Sequence, residues 1–185
     1  VKGVKRIVVP ADQELWDEKN EVFLRPPFKS DIVLRLVHSL ISISEWESRW
    51  HIPFLDSKKT DEQVIDYIKC MTLNEVDDEV YNWLTRENIN EINDYIADPM
   101  TATIVNDKGS NKRTTEKITS ELIYYWMIAY NVPVEFEKWH INRLIMLIRV
   151  CAAKSEPSKN MTKAEIMRQN RAINAARRAK LHTKG

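Results

Sequence analysis

Glycine is scarce: the chain has three in 185 residues, Gly3, Gly109 and Gly185. An antiparallel sandwich with many tight hairpins needs left-handed backbone positions that glycine fills most cheaply, so the shortage speaks for helices. Cysteine is scarcer still. Cys70 and Cys151 lie far apart with no spaced partner, which argues against a disulfide framework and fits a reducing cytoplasm. Long apolar runs are missing as well: the longest uncharged one, Leu122 to Tyr130, falls far short of the roughly 20 residues a membrane-spanning helix requires. Near the N-terminus the apolar stretch Ile7–Val9 is shorter than the core of a secretory signal, so export is not expected.

What is present suits a folded chain. Hydrophobic residues make up 43% and charged residues 30%, the proportions of a globular protein, and the length suits one hydrophobic core. The net charge of +1 conceals an asymmetry. Between Ser158 and Gly185, eight bases face the single acid Glu165, so this segment carries +7 and the remainder −6. The organisation read from this is a helical domain with small β-hairpin elements over 1–157, followed by a basic helical arm over 158–185. Charge blocks of this kind mark interaction segments, and the candidate partner-binding residues are Lys163, Arg168, Arg171, Arg177, Arg178 and Lys180.

Along the chain, Ile7–Val9 and Val22–Leu24 are rich in β-formers and predict a small hairpin or ribbon packed on the helices. Beyond Pro26 and Pro27, Ser30 is a candidate cap for a helix carrying Ile32, Val33, Leu36, Val37 and Leu40. Ser44-Glu-Trp-Glu47 reads as a capping box, with Trp46 and Trp50 one turn apart on one face. Pro53 breaks that helix. A second box, Thr60-Asp-Glu-Gln63, opens a helix burying Val64, Ile65, Ile68 and Met71. Short helices follow around Val80–Leu84 and Glu87–Ala97. Thr101–Val105 and Arg113–Ile118 predict a hairpin around Gly109. Thr119 or Ser120 caps a helix over Leu122–Tyr130, apolar around most of its circumference and so expected at the centre of the core. The following helix, from about Val134 to Ala153, is expected to pair with it as an antiparallel hairpin. After the linker Ser155–Asn160, Thr162-Lys-Ala-Glu165 starts the last, alanine-rich helix. The fold class is mainly α: a compact helical bundle with one or two short β-hairpins and a basic C-terminal helix.

No catalytic, cofactor or metal constellation assembles from these residues. His140 and Cys151 are separated by roughly 16 Å of helical rise and cannot share an ion, and His38, His51 and His182 have no ligand partner at a useful spacing. Each is read as a surface or structurally satisfied histidine. The carboxylate pairs Glu45/Glu47, Asp77/Asp78 and Glu135/Glu137 sit at helix starts, where capping and dipole roles explain them. Ser42 and Ser44 lack a nucleophile elbow, and Lys108-Gly-Ser lacks the context of a phosphate loop. Trp46, Trp83, Trp126 and Trp139 fall on apolar helical faces and read as core. The basic arm keeps nucleic-acid binding open, although it has no aromatic residue for stacking bases and the body is acidic; a protein partner or a solvated face fits it better.

The run His38-Ser-Leu-Ile-Ser-Ile-Ser-Glu-Trp-Glu-Ser-Arg-Trp50, together with Pro53-Phe-Leu55, Asp66–Thr72 and Met100–Thr103, resembles a family of tailed-bacteriophage tail-region proteins. Ile118-Thr-Ser-Glu-Leu-Ile-Tyr-Tyr-Trp-Met127 and Asn170-Arg-Ala-Ile-Asn-Ala-Ala-Arg-Arg178 extend the likeness over almost the whole chain. The resemblance implies a non-enzymatic role in tail morphogenesis, as a tail assembly chaperone that contacts the tape-measure protein in the host cytoplasm, without cofactors or a membrane, and possible as a homo-oligomer. A virion structural subunit of neck, tail or baseplate, or a nucleic-acid-binding packaging accessory, is the alternative.

Overall fold

The computed structural model describes residues 3–104, 117–155, 167–168 and 170–173. By packing, the chain falls into two units, Val1–Ala152 and Ala153–Gly185. Among the described residues helix predominates at 52%, with 13% strand and two small sheets, so the helical character holds, but the fold is a mixture of α and β where a helical bundle with one or two short hairpins is expected. Left-handed positions are taken here by residues other than glycine as well: Glu21, His51, Met100 and Asn131 all have φ between 51° and 55°. The central sheet also needs no tight turn.

That sheet pairs β1 (Lys5–Val9) antiparallel with β4 (Ile32–Leu36), with Ile7 opposite Leu34 and Val8 opposite Val33. The smaller sheet pairs β2 (Leu15–Asp17) with β3 (Val22–Leu24), with Trp16 opposite Phe23. The ribbon expected between Ile7–Val9 and Val22–Leu24 is therefore not formed, since each run pairs elsewhere. The helix expected from Ser30 through Leu40 is instead β4 followed by a helix start. Ile32, Leu36 and Leu40 satisfy a four-residue helical spacing and a two-residue strand spacing alike. Leu34 decides between them: it is fully buried with Leu36 on the inner face, while Val33 and Arg35 face outward.

Helix α1 (Leu40–Trp50) is capped by Ser39, whose hydroxyl accepts from the Ser42 amide while the Ser42 side chain accepts from Ser39. The capping box lies there and not at Ser44, which sits within the helix. Trp46 and Trp50 do share a face, with ring centroids 6.3 Å apart. The helix ends at His51, before Pro53, in a left-handed cap. Helix α2 (Asp61–Met71) carries the expected reciprocal box between Thr60 and Gln63. Asp78–Trp83 is a 3-10 helix, and α3 (Arg86–Ala97) opens on a further box between Thr85 and Asn88. Thr101–Ile104 form no strand, and the rest of the hairpin expected around Gly109, 105–116, lies outside the described residues.

Helix α4 (Ser120–Ala129) is capped by Thr119 as expected, but only Ser120, Ile123 and Met127 are buried. It leans on α1 and is not at the centre of the core. The single helix expected from Val134 is divided into a 3-10 helix over Val134–Lys138 and α5 (Ile141–Ser155). The division falls where the chain is held beside residues 38–39: His140 bridges Ser39, and the Ile141 amide donates to the His38 carbonyl at 2.8 Å.

The core gathers the inner face of the β1–β4 sheet (Ile7, Val9, Leu34, Leu36) with Leu40, Ile43 and Trp46 of α1, Tyr67, Ile68 and Met71 of α2, and Ile92 of α3. A fully buried aliphatic side chain of this kind contributes about 1.5–3 kcal/mol. Both outer edges of this sheet are engaged. Met71 and Leu73 exchange backbone hydrogen bonds with Val37 and Arg35, and Asn74 holds both the Arg35 amide and the Val33 carbonyl. On the other side Asn88 donates to the Val8 carbonyl at 3.0 Å. Open sheet edges invite pairing with other chains, and here they are closed.

Candidate protein-interaction surface

The β2–β3 hairpin is built differently. Its two apolar runs, Leu15-Trp16 and Val22-Phe23-Leu24, are separated by Glu18-Lys-Asn-Glu21, the short spacing of a hairpin loop. Asp17 organises that loop by accepting from the Lys19 amide at 3.0 Å and from the Asn20 side chain at 2.7 Å. The Asn20 amide holds the Asp17 carboxyl below its ordinary range. At the base, Arg25 pairs with Glu14 at 2.5 Å. Gln13 fastens the hairpin to the body by donating to the carbonyls of Pro10 at 2.9 Å and Trp83 at 2.8 Å.

Its apolar side chains are only about half covered by the described residues. Trp16 is 51% exposed and Phe23 66%, and Leu15, Val22 and Leu24 are each exposed by more than two fifths. The antiparallel register puts Trp16 and Phe23 on one face, in tilted contact at 4.9 Å, and Leu15, Leu24 and Val22 on the other. Both faces of a projecting ribbon are therefore apolar, and among the described residues no third strand pairs with either edge. A two-stranded hairpin is marginal by itself in water. Clustered exposed apolar side chains of this size mark a contact site more often than scattered ones do.

Two other regions bear on contact. The outward face of α4 exposes Tyr125 and Ile128, and Val134 follows at 60% exposure. Of the basic residues singled out in the arm, Arg168 and Arg171 are exposed in helical segments spaced three apart; Lys163, Arg177, Arg178 and Lys180 lie outside the described residues.

The polar interior has a structural logic. His38, 2% exposed, meets the Tyr67 hydroxyl at Nδ1 at 2.5 Å, and its own amide donates to the Tyr95 hydroxyl. Burial, aided by His140 and Lys59, pushes the His38 imidazole down to about 3, so the ring is neutral. His140 packs edge-on against it with centroids 4.9 Å apart. Its Nε2 lies 2.9 Å from the Tyr95 carbonyl and its Nδ1 accepts from the Asn142 amide, which fixes the tautomer and leaves neither nitrogen free. A cleft of about 490 Å³ beside Gly3, Met100, Glu135, Lys138, Trp139 and Arg143 thus meets a histidine already committed. Cys70 borders a smaller apolar groove, and burial raises its thiol to about 12, far from a nucleophilic thiolate. Among the described residues no group of three or more His, Cys, Asp or Glu is arranged to hold a metal ion.

Glu47 has a role that its sequence neighbourhood hid. Its Oε1 accepts from the Phe54 amide at 2.7 Å and its Oε2 from the Ser120 amide at 2.8 Å. A buried carboxylate of α1 therefore caps the N-terminus of α4, more than seventy residues away, where the helix dipole favours negative charge. The hairpin could have been found from the sequence by reading Leu15-Trp16 together with Val22–Leu24; the acids around Leu15-Trp16 masked it as a polar stretch. Comparison with protein-family models, with curated proteins and with solved structures returns no match.

Proposed function

We propose that this chain is a non-enzymatic assembly factor that works through protein–protein contact, and specifically a phage tail assembly chaperone that engages the tape-measure protein in the host cytoplasm. The observation that carries the reading is the β2–β3 hairpin, which holds five large apolar side chains in solvent on a firmly anchored base. A folded chain gains nothing in its own stability from exposing them, whereas a chaperone needs such a surface to cover apolar segments of its client. The charge of the arm supports the same reading: +7 over 158–185 gives a long-range attraction toward an acidic client or subunit.

The test is affinity capture of the tagged protein from phage-infected cells, with purified virions examined in parallel by mass spectrometry. Under this reading the tape-measure protein is captured and the virion lacks the chain. A fixed copy number in the virion would establish the alternative, a neck, tail or baseplate subunit. Removing residues 161–185 is expected to weaken capture while leaving the body folded. Steeply salt-dependent DNA binding by the intact chain, lost on that removal, would instead assign the arm to nucleic acid.

A further inference from the structure

The hairpin also carries information about what it binds. Residues 12–25 contain five acids, Asp12, Glu14, Asp17, Glu18 and Glu21, against two bases, Lys19 and Arg25. Arg25 is already paired with Glu14. All the acids except the half-buried Asp17 are exposed; Asp12 and Glu14, the latter paired with Arg25, precede β2 while Glu18 and Glu21 lie in the loop, so an acidic rim flanks the apolar residues at both ends of the hairpin. Each strand has only three residues. That is too little backbone for a partner strand to be held mainly by main-chain hydrogen bonds, which leaves recognition to the side chains on the two faces.

We infer that the β2–β3 hairpin is a wedge for basic amphipathic helices: an apolar stripe seats on Trp16 and Phe23, or on Leu15, Val22 and Leu24, while flanking lysines or arginines meet the acidic rim. The acidic rim selects this occupant over the body of a second copy, which carries −6 outside its arm and has the same rim. It also disfavours an anionic lipid surface. The anchored base and the loop held by Asp17 keep the ribbon in its binding shape, so little ordering remains to be done on contact. The inference rests on the reading that the hairpin is a protein-contact surface and names the chemistry of the partner.

The experiment uses the full chain and two labelled synthetic helical peptides of equal apolar content, one flanked by lysines and one by glutamates, with binding followed by fluorescence anisotropy. The lysine peptide is expected to bind at least tenfold more tightly than the glutamate peptide. The double substitution Trp16→Ser/Phe23→Ser is expected to weaken it at least tenfold, and Glu18→Gln/Glu21→Gln severalfold. Because these residues are exposed, the variants are expected to stay folded and to melt within a few degrees of the parent, and a variant that does so yet binds as before overturns the proposal. Equal affinity for the two peptides overturns it too. So does hairpin-dependent dimerisation, seen by sedimentation, that survives removal of residues 161–185, which would make the acidic body of a second copy the occupant, or hairpin-dependent partition into phosphatidylcholine vesicles, which would make it a lipid anchor. Capture of the tape-measure protein is a separate measurement: peptide binding without it leaves the wedge standing and removes the chaperone reading, and capture without peptide binding does the reverse.

Discussion

The two small sheets of this chain use similar residues to opposite ends. In the β1–β4 sheet apolar side chains alternate, so Ile7, Val9, Leu34 and Leu36 are buried while Arg6, Val8, Val33 and Arg35 face outward, and both edges are engaged. In the β2–β3 sheet apolar residues stand on both faces, none of them is buried, and neither edge is paired among the described residues. Alternation is the signature of a strand with one face given to a core. In the hairpin its absence leaves apolar side chains about half exposed on both faces among the described residues.

The contrast is broken most directly by truncating one side chain on each sheet. Leu34→Ala is expected to cost about 2–5 kcal/mol, because a fully buried leucine leaves a cavity. Phe23→Ser is expected to cost no more than about 1 kcal/mol, the worth of one cross-strand aromatic contact. Urea denaturation of both variants checks this, and comparable losses would mean that the hairpin is part of the folding core.

Buried polar groups supply the converse of exposed apolar ones. Apart from Ser57 Oγ, the buried side-chain nitrogens and oxygens among the described residues all find partners. Glu47 serves two of them, and Glu47→Ala would strand the Phe54 and Ser120 amides. A loss of about 3 kcal/mol is expected, since hydrogen bonds to charged groups are worth about 1.5–3 kcal/mol each. The same change should speed hydrogen exchange at the first turn of α4 and leave exchange in the β2–β3 hairpin unaltered.

Mild acid should act first on the buried side of the comparison. The His38 imidazole is held near 3 in the fold against 6.5 ordinarily. As pH falls below 6.5 the unfolded chain takes up this proton first, so stability is full above that value and declines toward 3, at up to about 1.4 kcal/mol per pH unit. Burial of His140 acts in the same direction. Denaturation measured at about pH 7 and about pH 5 should show the decline, and His38→Gln should flatten it even if it lowers stability at neutral pH.

The smallest effect concerns the outer face of the β1–β4 sheet, where Arg6 stands directly opposite Arg35. Like charges across a strand pair are unfavourable, so Arg35→Glu is expected to raise stability by about 0.2–1 kcal/mol. The gain should shrink as salt is added.

Much of the architecture was legible where a local interaction decides it. Thr60 with Gln63 and Thr119 before α4 read correctly because a cap and its helix lie within a few residues of each other. Pro53 marked the end of α1 for the same reason. Where two periods coincide, as for Ile32, Leu36 and Leu40, the sequence permitted helix or strand, and only the partner strand β1 chose between them. The proposed contact residues of the hairpin were legible in part: Val22–Leu24 stood out as a strand, but Trp16 and its apolar neighbour Leu15 did not.

The sequence by itself determined the preponderance of helix, the starts of α2, α3 and α4, and the separation of charge between body and arm, because each of these depends on residues near one another in the chain. Tertiary structure alone decided which strands pair, that α4 turns an apolar face outward, that Glu47 caps a helix more than seventy residues away, and that the apolar residues of one ribbon stay in solvent. Those outcomes depend on which surfaces are covered by distant segments, and burial is a property of the folded whole that no local pattern carries.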